Sequence, residues 1–366
     1  MLRRLRKRFR LHKYEFIQKG AFMMNILIIF TGGTIGSCVN DCIIDTDMSC
    51  SAAIIDIYTK TFGNDCNFNI LKPFAELSEN FTVDTINLLA DTLENIDFKE
   101  YDGVIIAHGS DTAAYSCAFI SFMFSSVKCP VVFIASDYPP ENPCSNALKN
   151  LRSAVQFIKS KTVKKGVFFS YGNHNQNACI YIGTRINEAD CFNDRFSAFG
   201  NEVFGTVSDD RFIYNNNPFN PAPEVIDNNY PQIKHCRLVP DSSVILKSFT
   251  GMNYDLINID NPSLKSVVNI MYHSASACTS GINTSFAGFI EKCRKRNIDV
   301  YCVSFKNTED IYSSVKIIKD CGGIPLYNIS YEAAYAKSVI ANSINDKSIM
   351  NQNIFFEHIQ DLRSDF

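Results

Sequence analysis

A short glycine-rich segment with two threonines is the first part of the chain whose residue types could do chemistry. Residues 31–36 read T-G-G-T-I-G and directly follow the apolar run Ile26–Phe30, which predicts a buried strand. Open parallel sheets bind ligands in turns that follow the carboxyl ends of their strands. The segment is not G-x-G-x-x-G and has no P-loop lysine, so a nucleotide site is disfavoured.

A second polar segment also follows a predicted strand. Residues 108–112 read H-G-S-D-T and come directly after the apolar run Gly103–Ala107. Ser110 or Asp111 would cap the next helix whatever the function of the protein. Helix capping and ligand binding are therefore both open for this segment when it is considered alone.

The first half of the chain alternates apolar runs with amphipathic stretches. The predicted strands are Ile26–Phe30, Gly103–Ala107, Pro130–Ala135 and Gly166–Ser170, and the predicted helices are Val83–Leu93, Ala113–Phe124 and Ala147–Lys159. Continuous apolar strands separated by helices of this length indicate a parallel sheet with βαβ crossovers. Because both polar segments leave parallel strands, we expect Thr34, Ser110 and Asp111 to converge at one edge of the sheet.

The second half repeats the alternation on a smaller scale. After a Pro- and Asn-rich stretch come predicted strands Ser243–Leu246, Ser266–Met271 and Val300–Ser304, and predicted helices Tyr254–Ile259, Phe286–Arg296 and Tyr331–Asn342. The fold class expected is α/β: a larger N-terminal domain with a doubly wound, mostly parallel sheet, and a smaller C-terminal α/β domain. The boundaries predicted are 24–214 for the first domain, 215–240 for the linker and 241–366 for the second.

Charge and cysteine usage limit the possible partners. Residues 1–24 carry eight Lys and Arg against one acid, Glu15, in a chain of net charge −3, so the remainder is acidic and a nucleic-acid or membrane partner is disfavoured. We expect residues 1–23 to be a disordered basic tail, since no small-x-small cleavage site marks a secretory signal. Fourteen cysteines occur without a C-x-x-C pair or an H-E-x-x-H, which favours reduced thiols in a cytoplasmic protein without a metal site.

Taken together, the two polar segments resemble the paired signatures of the L-asparaginase/glutaminase family. The resemblance continues through residues 129–136 and through the N-L-x-x-A pattern that begins at Asn150, and it is similar to the type I, cytoplasmic bacterial branch. It implies the asparaginase fold and the hydrolysis of the side-chain amide of asparagine or a related small amino-acid amide. It also implies a homodimer or homotetramer and no cofactor.

The resemblance assigns roles to particular residues. Thr34 matches the nucleophile that forms an acyl-enzyme, and Gly33 beside it is expected to bind the substrate. Ser110 and Asp111 match the Thr-Asp pair of the second signature. Asp111 would bind the α-ammonium group of the substrate. The further substrate-binding loop is matched by Ser78 and Glu79, which would lie near the α-carboxylate and α-ammonium groups.

Three positions depart from the family pattern. No lysine occurs between Lys165 and Lys234, and Asp190 falls where the family has its proton-accepting lysine. Ile44 falls where a mobile tyrosine is expected, and residues 145–147 read S-N-A in place of S-D-G. Three functions therefore stay open: an asparaginase-type hydrolase, a catalytically weak or inactive amino-acid-binding protein, and a hydrolase of another amide with Asp190 or Glu188 as its base.

Overall fold

The computed structural model describes residues 23–40, 43–45, 53–173, 176–228, 233–305 and 311–359, with residues 38–40, 43–45 and 304 described by their backbone alone. The predicted tail lies outside this part of the chain, apart from Met23. Ile44, which occupies the position where the family pattern has a tyrosine, has no described side chain.

The first half of the chain forms one large sheet flanked by helices. Its elements are β1 (Met24–Phe30), β2 (Cys38–Asn40), β3 (Ile43–Asp45), α1 (Ala53–Phe62), β4 (Cys66–Leu71), α2 (Val83–Glu94), β5 (Gly103–Ala107), α3 (Ala113–Phe124), β6 (Val131–Ile134), α4 (Ala147–Ser160), β7 (Val167–Tyr171), β8 (Ala178–Ile182), β9 (Gly205–Ser208), β10 (Arg211–Tyr214) and α5 (Pro223–Asp227). The strand order is β10-β9-β8-β7-β6-β5-β1-β4. Strands β4, β1, β5, β6 and β7 are parallel, and β8 to β10 are added antiparallel.

A smaller sheet follows, with every described neighbour parallel. Its elements are β11 (Ser243–Lys247), β12 (Ser266–Ile270), α6 (Phe286–Arg294), β13 (Asp299–Phe305), α7 (Ser313–Asp320), β14 (Ile324–Tyr327) and α8 (Tyr331–Ile344). The α/β architecture with a large mostly parallel sheet and a second, smaller one is confirmed. Within the described residues, no helix combines the length and the apolar character needed to cross a membrane.

The predicted helix Tyr254–Ile259 is wrong. Only a single 3-10 turn, Tyr254–Leu256, forms there. The Asn253 side chain accepts the N–H of Asp255 at 2.9 Å, and the Asn258 side chain accepts the N–H of Asp260 at 2.9 Å. Asparagine side chains that bind nearby backbone N–H groups in this way compete with the helix for those donors.

Helix α8 and the segment after it connect the two sheets. The buried face of α8 shares a core with α3 and with strands of both sheets. Further along, the backbone carbonyl groups of Phe355 and Phe356 accept hydrogen bonds from Thr184 Oγ1 (2.7 Å) and Arg185 Nε (2.5 Å), which follow β8. The end of the described chain therefore returns to the first sheet.

A buried ion pair fixes this returning segment. Lys337 Nζ on α8 lies 2.6 Å from Glu357 Oε1, and both side chains are 0% exposed. The Glu357 carboxylate also accepts backbone N–H groups from Ile354 and Phe355, at 2.7–3.0 Å. Burial lowers the pKa of Lys337, while the adjacent carboxylate opposes that change. Two buried charges are tolerated here because each is paired and hydrogen-bonded.

Removing one member of this pair should destabilise the protein more than replacing both. Lys337→Met leaves the Glu357 carboxylate buried without a cation, and we expect a loss of about 3–5 kcal/mol in the free energy of unfolding. Lys337→Met/Glu357→Gln removes that charge and keeps an acceptor for the backbone N–H groups, so it should recover part of the loss. Urea denaturation at pH 7 measures both variants, and a double variant no more stable than the single one contradicts this interpretation.

Candidate functional site

Backbone hydrogen bonds hold three loops together where β1 and its neighbours end. Thr31 N–H donates to the carbonyl oxygen of Ala107 (3.1 Å), which connects the end of β1 to that of β5. Glu76 N–H donates to the carbonyl oxygen of Thr31 (3.1 Å), and Gly33 N–H donates to that of Glu76 (3.2 Å). The segments around residues 31–36, 76–80 and 107–112 therefore meet at one edge of the sheet.

Two glycines allow the first and third of these loops to touch. A methyl group built on Gly33 would overlap the Cα and N atoms of Gly109, and the φ angle of Gly33, +71°, is itself unfavourable for other residues. A methyl group on Gly109 would overlap the Ser78 side chain. Thr34 and Ser110 are the next residues along the chain after these two glycines.

The second loop contributes a buried hydroxyl group. Ser78 is 2% exposed, and its Oγ donates to Asp111 Oδ2 at 3.1 Å. Thr112 Oγ1 donates to the carbonyl oxygen of Ser78 at 3.0 Å. The structure thus brings Ser78 and Asp111, two of the sequence-predicted site residues, into direct contact. Glu79 is adjacent and exposed.

Thr34 and Ser110 have polar groups that are free to meet a ligand. Both residues are half-buried. Within the described part of the chain, neither their hydroxyl groups nor their backbone N–H groups donate a hydrogen bond. Oriented N–H groups beside a nucleophilic hydroxyl can stabilise a developing oxyanion.

His108 lies beneath this edge and is completely buried. Its Nδ1 lies 2.7 Å from the carbonyl oxygen of Gly109, and its ring packs edge-on against Phe81 and Phe133, with centroids 4.6 and 5.7 Å away. Burial lowers the pKa of His108 to about 4, so the imidazole is neutral near pH 7. Because a carbonyl group can only accept, Nδ1 carries the proton.

The loop that follows β8 contains the two acidic residues considered as replacements for a lysine. Asp190 is exposed, and its Oδ1 accepts the backbone N–H groups of Phe192 and Asn193, both at 3.1 Å. These bonds form a local turn. Glu188 is also exposed, but its Oε2 accepts a hydrogen bond from Tyr331 Oη of α8 at 2.6 Å, and Tyr115 of α3 lies nearby.

Glu332 on α8 completes this polar cluster. Its Oε1 accepts the backbone N–H of Glu188 at 2.9 Å, whereas its buried Oε2 has no partner among the described residues. Burial raises the pKa of Glu332 to about 7, and the nearby Glu188 carboxylate acts in the same direction. The same burial, together with Glu188, raises the pKa values of Tyr115 and Tyr331.

Sequence reasoning missed His108, Tyr115, Tyr331 and Glu332 as members of these contacts. His108 belongs to the second motif, and its position at the end of an apolar strand could have indicated burial. Glu332 and Tyr331 come from α8, more than 140 residues from Glu188, and nothing in the sequence pairs them. Among the described residues, no group of three or more His, Cys, Asp and Glu could hold a metal ion.

The fold is that of an α/β protein, and this edge is a candidate ligand site between loops that follow parallel strands. The family description "Asparaginase, N-terminal" matches residues 25–220, more than half of the chain, and the protein therefore belongs to the asparaginase family. The resemblance inferred from the two motifs is thus confirmed.

Individual known proteins agree with this membership. The chain is 23% identical to a subunit of the glutamyl-tRNA(Gln) amidotransferase of Methanosphaera stadtmanae over 328 residues, which are 88% of this chain and 73% of that protein. Its fold is similar to that of the thermostable L-asparaginase from Thermococcus kodakarensis (TM-score 0.77, 21% identity, 92% of this chain and 100% of the other). It is also similar to L-asparaginase I from Vibrio cholerae (TM-score 0.73, 19% identity, 92% and 100%).

The buried Glu332 should make stability depend on pH. Its pKa is higher in the folded protein, about 7, than the ordinary value of 4.5, so the folded state retains the proton longer than the unfolded state. Stability should therefore fall as the pH rises from about 4.5 through about 7, by an amount on the order of 3 kcal/mol.

Glu332→Gln removes this titration and should be more stable than the wild type at pH 8 but not at pH 5. Melting temperatures between pH 5 and 8 measure the difference. The exposed Glu141→Gln is the matched control and should follow the wild type. Parallel curves for wild type and Glu332→Gln would show that Glu332 is ionised in the folded protein throughout this range.

Proposed function

We propose that the protein is an amidohydrolase that converts L-asparagine, or a related small amino-acid amide, to the acid and ammonia. Family membership supports the reaction class. The observation that supports the site is the contact between Gly33 and Gly109, because these glycines directly precede Thr34 and Ser110 in the chain. In this proposal Thr34 attacks the amide carbon, ammonia leaves, and water releases the acid from the acyl-enzyme.

The remaining residues bind the substrate and stabilise charge. Asp111, held by Ser78, binds the α-ammonium group of the amino acid, and Glu79 contributes a second carboxylate at the exposed side. The backbone N–H groups of Thr34 and Ser110 stabilise the oxyanion that forms when the hydroxyl attacks. No cofactor is needed for these steps.

The proton acceptor is the part of this mechanism for which the chain lacks the residue of the family pattern. Asp190 stands where the family pattern has lysine, and its carboxylate accepts bonds from the backbone of its own turn. Loss of a general base costs on the order of 10²- to 10⁴-fold in rate. This observation favours a second candidate function: an amino-acid-binding protein that retains the site with little or no turnover.

In a third candidate function, the protein is still a hydrolase but another residue is its general base. Glu188 comes from the same loop as Asp190 and lies near Tyr115, which is four residues after Asp111 in the chain. In that arrangement Glu188 acts near the site in a hydrolase for another amide. Release of ammonia or amine from other amides, with asparagine inert, would support it.

Family membership also suggests an oligomeric state, a cellular location and a substrate class for the protein. We propose a homodimer or homotetramer in the cytoplasm, acting on a small molecule and not on nucleic acid or membranes. The described cysteines are all free thiols, which suits a reducing compartment. The relative from Methanosphaera stadtmanae is by name one component of an amidotransferase, so a mass measurement should also look for other bound chains.

Ammonia release distinguishes the candidates. Purified protein is assayed with L-asparagine, L-glutamine and a panel of other amides, and L-aspartate binding is measured by calorimetry. We expect turnover of at least one amide, and a loss of at least about 100-fold in kcat for Thr34→Ala, since removing a nucleophile leaves only binding and oxyanion stabilisation. Binding without turnover selects the binding protein.

Two variants control this experiment. Thr61→Ala removes an exposed threonine of α1 and should leave kcat unchanged. Asp190→Lys restores the family's residue, and it should raise kcat only when Thr34 is intact. If Asp190→Lys folds normally and gains no activity, the absence of lysine is not what limits turnover.

A further inference from the structure

His108 is the buried polar group beneath the candidate site that the proposed reaction does not use. Its ring is 0% exposed and lies between Phe81, which follows the Ser78 loop, and Phe133 of β6. One imidazole thus contacts both the loop that binds Asp111 and the strand beside β5. Its single hydrogen bond among the described residues goes to the carbonyl oxygen of Gly109, at 2.7 Å.

That bond determines where the next N–H group points. In a trans peptide, the carbonyl oxygen of one residue and the N–H of the next lie on opposite sides of the chain. Because the Gly109 carbonyl points inward to the imidazole, the Ser110 N–H points away from it. That N–H has no acceptor among the described residues, and it lies beside the loop of Thr34.

We propose that His108 is a positioning residue, which holds the Gly109–Ser110 peptide so that the Ser110 N–H faces the amide oxygen of the substrate. This inference rests on the proposed function. His108 is not the missing base: it is neutral, completely buried, and donates its one proton to a backbone carbonyl.

A purely structural role explains the histidine poorly. Its Nε2 is buried and has no hydrogen-bond partner among the described residues. An unsatisfied polar atom of this kind costs about 1–3 kcal/mol. A phenylalanine at position 108 would keep the apolar contacts with Phe81 and Phe133 and remove the unsatisfied Nε2, but it would leave the Gly109 carbonyl oxygen without its donor. The group that only the imidazole supplies here is the Nδ1–H donor.

Three substitutions of His108 distinguish the effect of its Nδ1–H hydrogen bond from the effect of its ring packing. The side-chain amide nitrogen of asparagine occupies nearly the place of the histidine Nδ1, whereas that of glutamine occupies the place of Nε2. His108→Asn therefore keeps the bond to Gly109, and His108→Gln and His108→Phe lose it. We expect kcat to fall about 10- to 100-fold in the latter two with little change in KM, and to stay within about 3-fold in His108→Asn.

The melting temperatures test whether the order of kcat values merely follows the order of stabilities. His108→Phe should melt close to the wild-type temperature although it loses activity, because it removes the unsatisfied Nε2 as well as the donor to Gly109, and His108→Asn should melt lower although it keeps activity. Equal kcat values for all three variants, or activities that follow the melting temperatures, would overturn the proposal. So would a shift in the acidic limb of the pH–rate profile in His108→Asn, since a general base loses activity when it is protonated and such a shift would make His108 the base.

Two further readouts keep the test independent of turnover. If the wild type hydrolyses no amide, the proposed hydrolysis fails, and the dissociation constants of L-aspartate should then follow the same order of variants; equal constants would overturn the positioning role. Nitrogen-15 NMR of labelled histidine should show an Nδ1-protonated ring for His108 that does not titrate between pH 5.5 and 8. An Nε2-protonated or titrating ring would refute it.

Discussion

The contact between Gly33 and Gly109 is the constraint on which the site depends. Two strand-end loops approach so closely that neither glycine has room for a methyl group, and Ser78 fills the remaining space against Gly109. The parallel pairing of β1 with β5 sets the register that makes this approach possible. A larger side chain at either position would separate Thr34 from the Ser110–Asp111 segment before it altered any functional group.

Burial controls several ionisable groups of the protein core. His108 is neutral because its charged form would lose its hydration, and Glu332 holds its proton to about pH 7 for the same reason. Lys337 and Glu357 are tolerated in the core because each has the other as a partner. Two of these residues help α8 to connect the two sheets. Helix α8 carries Glu332 and Lys337, and Glu332 binds the loop on which Glu188 lies.

The sequence predicted the parts of the fold that depend on local pattern. The strand Gly103–Ala107 and the helix Ala113–Phe124 have the predicted bounds, since continuous apolar runs specify buried elements. Strand β4 was missed because it alternates Asn67 and Asn69 with apolar residues, as an edge strand does; both asparagines bind Asn25 on β1. The helix at Tyr254 was predicted wrongly because apolar periodicity carries no information about asparagine side chains that compete with the helix for backbone N–H groups.

The site was only partly predictable for a related reason. Motifs identify Thr34, Ser110 and Asp111 because those residues are local in sequence, but the partners of Glu188 come from α3 and α8, and their pairing is a property of the packed fold. The arrangement predicts one structural result directly: in crystals grown with L-aspartate, the β-carboxylate should lie within about 2.7–3.2 Å of both the Ser110 N–H and the Thr34 hydroxyl, with the α-ammonium group on Asp111. L-aspartate bound elsewhere, or bound with its β-carboxylate turned away from Thr34 and Ser110, would contradict the claim that the two loops form one amide-processing site.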